Sequence, residues 1–174
     1  MGCGEHNAAL DSTPAAAETA PMHIDLQAIA HFAAAPDAVF ALAVDAGRFP
    51  TLFRGYGPIP ALRRITLHGP LAVGVTRDVE GEDGVVMLET VTALDPGRRH
   101  AYTLSRLRPP LSWLVRIGQA DWAFAASGAG TDVVWRYRFE LTTPLVWPIA
   151  APLLRVFMQG AMQRCLAAMT PARA

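Results

Sequence analysis

The sequence contains no lysine, and all fifteen of its basic residues are arginines. Schiff-base chemistry through an amine and the lysine of a phosphate-binding P-loop are therefore excluded. Fifteen acidic residues bring the formal net charge to zero. The chain therefore has no overall field that would attract nucleic acid, and we expect no nucleic-acid partner.

Cysteine and histidine are scarce and scattered. The two cysteines, Cys3 and Cys165, stand at opposite ends of the chain, and the five histidines show no HxH, HExxH or CxxC spacing. We therefore expect no metal site and no cofactor. No Ser-His-Asp or Cys-His pattern and no GxGxxG motif is recognisable either. Cys165 falls on an apolar stripe and is expected to be a buried structural thiol.

The sequence predicts neither a signal peptide nor a membrane-spanning helix. Residues 1–21 have no basic start and no long apolar run, and their Ala/Pro/Thr-rich composition predicts a disordered tail. The apolar stretch from Leu145 to Met158 is interrupted by Arg155 and by prolines, so we expect it not to cross a bilayer. Residues 22–171 are predicted to form a single domain in a cytoplasmic protein.

The end of the chain shows both secondary-structure periods clearly. From Val133 to Leu141 the odd positions are apolar or aromatic, and the even positions from 136 to 140 are charged. This alternation predicts a strand with one buried face. After Pro144 and Pro148, apolar residues recur every three or four positions as far as Met169, which predicts one long helix beginning at Pro148.

The upstream sequence predicts the remainder of one sheet. Two short helices, Pro36–Val44 and Arg48–Arg54, follow the first strand. No later segment is long and periodic enough for a crossover helix, which indicates an antiparallel meander. The predicted fold is α+β, with a curved seven-stranded antiparallel sheet around one long C-terminal helix. The six strands predicted before the last one are Met22–Phe32, Leu62–His68, Ala72–Val79, Val85–Leu94, His100–Leu107 and Gln119–Ala126.

A concave sheet of seven strands is wider than a helix, which is only about 10–12 Å across. The uncovered inner surface is either filled by large side chains or left as a cavity. The candidate pocket residues are Trp122, Phe124, Trp135, Tyr137, Phe139, Leu154, Phe157, Met158 and Met162. A lip around the pocket is predicted from Phe49, Phe53, Tyr56, Leu111, Trp113 and Leu114. The apolar segment 107–116 either caps the core or forms a lip that touches a membrane or a partner transiently.

Three polar residues are candidates for chemistry: Arg77, Glu89 and Tyr102. Alternation places Arg77 and Glu89 on otherwise apolar strand faces and Tyr102 on a face with His100, Leu104 and Arg106. If these strands are neighbours, the three residues could lie within reach of one another. They could then orient a ligand carbonyl. In a cyclase, Tyr102 or His100 would move protons and Arg77 would stabilise an enolate. The alternative is a cross-strand salt bridge on the outer, solvated face, because the sequence does not fix the register.

Four short motifs, in order and with suitable gaps, resemble a known family. They are APDAVF from Ala35, VGVTR from Val73, LETVTALDP from Leu88 followed by RHAY, and GTDVVW from Gly130. Over roughly 23–169 the chain is similar to the START-related helix-grip (SRPBCC) superfamily, in particular to its polyketide cyclase/dehydrase and lipid transport branch. The resemblance implies a hydrophobic pocket between sheet and helix, but no universal catalytic residue.

These observations leave three functions open. The first hypothesis is a binder or carrier of a hydrophobic small molecule, such as a lipid, a quinone or a polyketide-like compound. The second is a cyclase or dehydratase that acts on a polyketide-like substrate and uses Arg77, Glu89 or Tyr102. The third is a module that binds a protein partner through the sheet or the 107–116 segment.

Overall fold

The computed structural model describes residues 22–170, which form one antiparallel sheet with helices packed on its inner side. The order across the sheet is β1-β7-β6-β5-β4-β3-β2, so each strand from β2 to β7 lies next to its neighbour in sequence and β1 pairs with β7. The predicted seven-stranded meander is confirmed. The strands are β1 (His23–Phe32), β2 (Leu62–Leu67), β3 (Thr76–Gly81), β4 (Val86–Asp95), β5 (Arg99–Ser105), β6 (Val115–Ser127) and β7 (Gly130–Leu141).

Two short helices, α1 (Pro36–Val44) and α2 (Phe49–Leu52), follow β1 as predicted, and α3 (Leu111–Leu114) precedes β6. Proline in the first turn of α1 is favourable because its fixed φ suits a helix and its missing N–H has no intrahelical partner there. The C-terminal helix runs over Pro144–Met169, four residues longer at its start than predicted. It consists of a 3₁₀ turn (Pro144–Val146), α4 (Trp147–Leu153), a π turn (Leu154–Met158) and α5 (Gln159–Met169).

The C-terminal helix is the core helix of the fold. By length and composition it could cross a bilayer, but Met162, Cys165, Leu166 and Met169 on α5 are buried, and α5 packs against β1. The Cys165 thiol is free and buried, as expected. Burial of these side chains on the sheet accounts for the apolar character of this half of the helix.

The N-terminal half of the helix buries a different face from the one expected. The 3.6-residue period predicts Ile149 on the apolar stripe, but Ile149 is exposed, and Ala150 and Ala151 are buried instead. The reason is the π turn, whose i→i+5 pattern takes an extra residue and rotates the side chains before it relative to those after it. A regular helical period cannot anticipate this rotation.

The largest differences from the predicted strand bounds are at the starts of β3 and β6. β3 begins at Thr76 and not at Ala72, because Gly74 has a φ of +87° and the Val75 N–H donates to the Ala72 carbonyl in a turn. β6 begins at Val115, so the end of the 107–116 segment is part of the sheet. In β4 the register with β5 shifts between Val91 and Ala93, which is a β-bulge.

The outer face of the sheet is polar and ion-paired. Arg138 donates to Asp25 over 2.8 Å, and Arg99 bonds Asp121 through two nitrogens at 3.1 and 2.7 Å. The charged positions of β7 lie on this face, as their alternation predicts. The inner face carries the largest buried side chains, among them Trp122 and Trp135.

Candidate ligand-binding site

A cavity of about 230 Å³ lies between the inner face of the sheet and the C-terminal helix. Strands β2 to β5 and β7 provide one wall, and Leu153, Leu154 and Met158 of the helix provide the other. The segments 58–60 and 108–114 border it as well. The helix therefore leaves part of the concave sheet surface uncovered, and the protein's own side chains do not fill that part.

Many of the predicted pocket and lip residues line this cavity. From the predicted pocket set these are Trp135, Tyr137, Phe139, Leu154 and Met158, and from the predicted lip they are Phe49, Phe53, Leu111 and Leu114. Phe49 and Phe53 are buried against Trp135, with ring centroids 6.4 and 6.3 Å away. These two residues form an inner wall of the cavity and not its rim.

The remaining predicted residues lie elsewhere. Trp122 is stacked behind Trp135 with ring centroids 4.1 Å apart, and Phe124 and Met162 are buried in the core. Phe157 packs on Tyr56 outside the cavity. Trp113 is exposed to solvent and does not line the cavity.

Several cavity residues were not among the candidates. Val79, Met87 and Leu104 line the cavity from β3, β4 and β5. Each stands two residues away from one of the polar candidates, so the same alternation could have identified them. Ile59 has no such signal, because the segment before β2 is irregular.

Small residues of β6 leave room for the large side chains of the strands on either side, and those large side chains line the cavity. One row across the sheet places Ala120 between Tyr102 on β5 and Tyr137 on β7. The next row places Gly118 between Leu104 and Phe139, and a Cβ at Gly118 would lie only 2.8 Å from the Tyr137 ring. Sequence alternation shows which residues face inward, but it does not show that these volumes leave a gap.

Arg77, Glu89 and Tyr102 all line the cavity. Arg77 and Glu89 are direct cross-strand partners, and the Arg77 Nε donates to Glu89 Oε2 over 2.5 Å. Their exposed fractions are 4% and 6%. The alternative of a salt bridge on the outer face is therefore wrong. The Arg77 guanidinium also lies over the Tyr102 ring, 5.0 Å from its centroid.

His100 completes this polar cluster. Its Nε2 is 3.2 Å from the Arg77 Nη2. Because a guanidinium can only donate, Nε2 must accept, and the single proton of the neutral ring is on Nδ1. Burial, and secondarily the charge of Arg77, lowers the pKa of His100 to about 3. The ring is therefore neutral at physiological pH and its basic nitrogen is already engaged.

The two tyrosines of the cavity are un-ionised. Burial raises the pKa of Tyr102 and of Tyr137 well above the ordinary value, and the negative charge of Glu89 adds to the effect at both. Their rings meet edge to face at 6.2 Å. Because the Tyr137 hydroxyl is hydrogen-bonded to Tyr102, the Tyr102 phenol is the one that can donate to a ligand oxygen. The Trp135 Nε1 is a further buried donor, with no hydrogen-bond partner among the described residues.

Burial and the charge of the partner act in opposite directions on the pKa values of Arg77 and Glu89. Burial alone would lower the pKa of Arg77, but the charge of Glu89 raises it overall. Burial raises the pKa of the Glu89 carboxyl, and Arg77 opposes that rise. The Glu89 carboxylate is consequently a partner of Arg77 and is poorly suited to act as a free base. The described residues contain no group of three or more potential metal ligands.

Comparisons with known proteins agree with this architecture. A family model described as polyketide cyclase / dehydrase and lipid transport matches residues 23–172. No curated protein is similar enough in sequence to count as a match.

Solved structures show the same fold at low sequence identity. Truncated norcoclaurine synthase from Thalictrum flavum is 14% identical with a TM-score of 0.66, and the match covers 88% of this chain and 97% of that one. Ara h 8.0201 is 15% identical with a TM-score of 0.61, over 85% and 98%. The di-domain ARO/CYC StfQ of the steffimycin biosynthetic pathway is 17% identical with a TM-score of 0.67, over 85% of this chain and 50% of that one.

Proposed function

Because this chain belongs to the polyketide cyclase/dehydrase and lipid transport family, we propose that its cavity binds and carries a hydrophobic small molecule. The observation that carries the proposal is the cavity of about 230 Å³, which is lined mostly by aromatic and aliphatic side chains. Ligand pockets in proteins are concave and mostly apolar, with a few polar groups that orient the ligand. The Arg77, Glu89 and Tyr102 cluster supplies those polar groups.

The size of the cavity indicates what it would hold. An engineered cavity of about 150 Å³ accommodates benzene, so this larger one suits a compound with more than one ring or a segment of an acyl chain. Tyr102 and Trp135 offer donors to an oxygen of the ligand. A quinone, a polyketide-like compound or a lipid would meet both conditions.

Binding is favoured over catalysis by the protonation states in the cluster. A general base works best when its pKa lies near the working pH. His100 has its pKa lowered to about 3 and its Nε2 faces Arg77, the phenols are un-ionised, and Glu89 bonds Arg77. None of these groups is a free base at neutral pH.

A cytoplasmic location of the protein remains a prediction.

A cyclase or dehydratase is the second candidate function. Two observations support it: the family includes such enzymes by its description, and Arg77 stands over Tyr102 at the cavity wall. Without a free base, a reaction would depend on folding the substrate within the cavity and on a hydrogen bond from the Tyr102 phenol to a carbonyl oxygen. Tyr102→Phe, which removes the phenol hydroxyl and keeps the ring, should then abolish turnover of a polyketide-like thioester while ligand binding persists. Turnover that is unchanged in this variant contradicts the enzyme proposal.

Native mass spectrometry of the purified protein after incubation with a lipid extract tests the binding proposal. We expect an adduct mass in the wild type. Met158→Trp places a larger side chain in the cavity and should remove the adduct, whereas Met22→Trp makes the same change at an exposed position and should retain it. No adduct in the wild type, or equal loss in both variants, would reject the proposal.

A further inference from the structure

A group of apolar side chains on α3 and the C-terminal helix, the two elements that also supply lining residues of the cavity, is exposed to solvent. Trp113 on α3 has 68% of its surface exposed, and Leu145, Trp147, Ile149 and Val156 on the C-terminal helix are 86%, 41%, 63% and 53% exposed. We call these five residues the docking face. Only 28% of an apolar 18-residue stretch of this helix is buried inside the protein. The cavity and core therefore do not account for the apolar character of the helix's first half.

Hydrogen bonds hold α3 next to the start of the C-terminal helix, so the two parts of the docking face belong to neighbouring segments. The Thr142 Oγ1 donates to the Trp113 carbonyl over 2.8 Å, and the Thr142 N–H donates to the Leu114 carbonyl over 3.0 Å. Thr142 is two residues before Pro144, where the helix begins. Leu114 and Leu153, which border the docking face on each side, line the cavity.

Charge distinguishes this region from the rest of the chain. Residues 96–120 and 141–174 contain no Asp or Glu, so the fifteen acidic residues all lie outside both segments. Arginines remain there, among them Arg106, Arg108 and Arg155, and all three are exposed. The Arg155 guanidinium lies over the Trp147 ring at 5.8 Å. These two segments thus present apolar side chains and arginines without carboxylates of their own, although the exposed Asp83 lies at the cavity. This combination is complementary to a lipid surface, in which negative headgroups cover an apolar interior.

We propose that the docking face binds the surface of an anionic lipid bilayer. Tryptophan is enriched at membrane interfaces, and arginine can reach lipid phosphates while its aliphatic part stays in apolar surroundings. Trp113 and Ile149 enter the boundary between headgroups and acyl chains, and Arg106, Arg108 and Arg155 contact the phosphates. The cavity rim then faces the lipid. This inference does not depend on the identity of the cavity ligand.

Co-sedimentation of the full chain with vesicles tests the proposal. Equimolar phosphatidylcholine and phosphatidylglycerol vesicles should bind the protein, and phosphatidylcholine vesicles should bind it much more weakly. Trp122 and Trp135 are buried, so a blue shift of tryptophan emission on binding would report on Trp113 and Trp147. Binding should weaken in salt of about 1 M, where screening acts beyond roughly 3 Å.

A matched pair of variants makes the test specific. Ile149→Ser should weaken binding about tenfold, because the free energy of transferring one large aliphatic side chain is involved. Ile29→Ser makes the same change on the outer sheet face, where Ile29 is also 63% exposed, and should leave vesicle binding unchanged. Trp113→Ser should act as Ile149→Ser does. Circular dichroism should be unchanged in all three, since each residue is exposed.

Three outcomes would overturn the proposal. The first is no sedimentation with the anionic vesicles. The second is an equal effect of Ile29→Ser and Ile149→Ser. The third is a wild type that elutes as a dimer in gel filtration and becomes a monomer in Ile149→Ser without binding vesicles, which would identify the docking face as a contact between copies of this chain.

Discussion

Replacing His100 by glutamine should remove an acid sensitivity of folding that the wild type shows. His100 is 1% exposed and its pKa is lowered to about 3, first by burial and then by Arg77. In the unfolded chain its pKa returns to about 6.5. Between these two values the unfolded state binds more protons, so the free energy of unfolding falls as the pH is lowered through this window and is fully retained above it.

The magnitude follows from the two pKa values. At about pH 5, protonation favours the unfolded chain by a factor of about 30, which is about 2 kcal/mol, while at about pH 7.5 the effect is close to zero. The result hardly depends on the folded pKa as long as it stays below about 4. Glutamine does not titrate, and its carbonyl oxygen can still accept from Arg77.

Urea denaturation followed by tryptophan emission, measured at both pH values, provides the assay. The wild type should lose about 2 kcal/mol more than His100→Gln between about pH 7.5 and pH 5. Contributions from Glu89 and from the other histidines cancel in this difference. His68→Gln, at an exposed histidine, should leave the acid-induced loss in place. Parallel pH profiles of the wild type and His100→Gln would show that His100 titrates alike in both states and would refute the reasoning.

Two further predictions concern buried groups. Arg77→Met should cost about 3–5 kcal/mol in urea denaturation because Glu89 loses its partner in a buried site, and Arg77→Met combined with Glu89→Leu should cost less than that single change. If the losses in free energy of unfolding measured for Arg77→Met and for Glu89→Leu simply add in the double variant, the pair is not coupled as described. The Cys165 thiol, whose pKa burial raises to about 12, should not react with a disulfide reagent in a folded Cys3→Ser variant and should react fully in denaturant. Labelling of the folded protein at neutral pH would contradict its burial.

The sequence alone determined the order of elements and the residues that share each face. Period-two alternation is a local property of an extended backbone, so the inner and outer sets of β7 could be assigned without coordinates. The bounds of α1 were also predictable from Pro36 and the sequence after it. The four motifs were sufficient to identify the family resemblance that the family model then supported.

Departures from regular geometry required the structure. The bulge in β4 and the π turn of the C-terminal helix each involve one extra residue, and they leave no periodic trace in the sequence. Ile149 is exposed for this reason although it stands on the predicted apolar stripe. One shift of this kind reverses the faces assigned to every residue beyond it in a strand.

Tertiary structure alone decided which way Arg77 and Glu89 point and whether the interior is hollow. Alternation groups Arg77 with Val79 but is symmetric between the two sides of the sheet, and only the packing of the helix on one side distinguishes them. The cavity depends on residues far apart in the chain, such as Ile65, Tyr102 and Leu154, which line it together. How completely side chains from distant segments fill the space between them cannot be read from any one segment of the sequence.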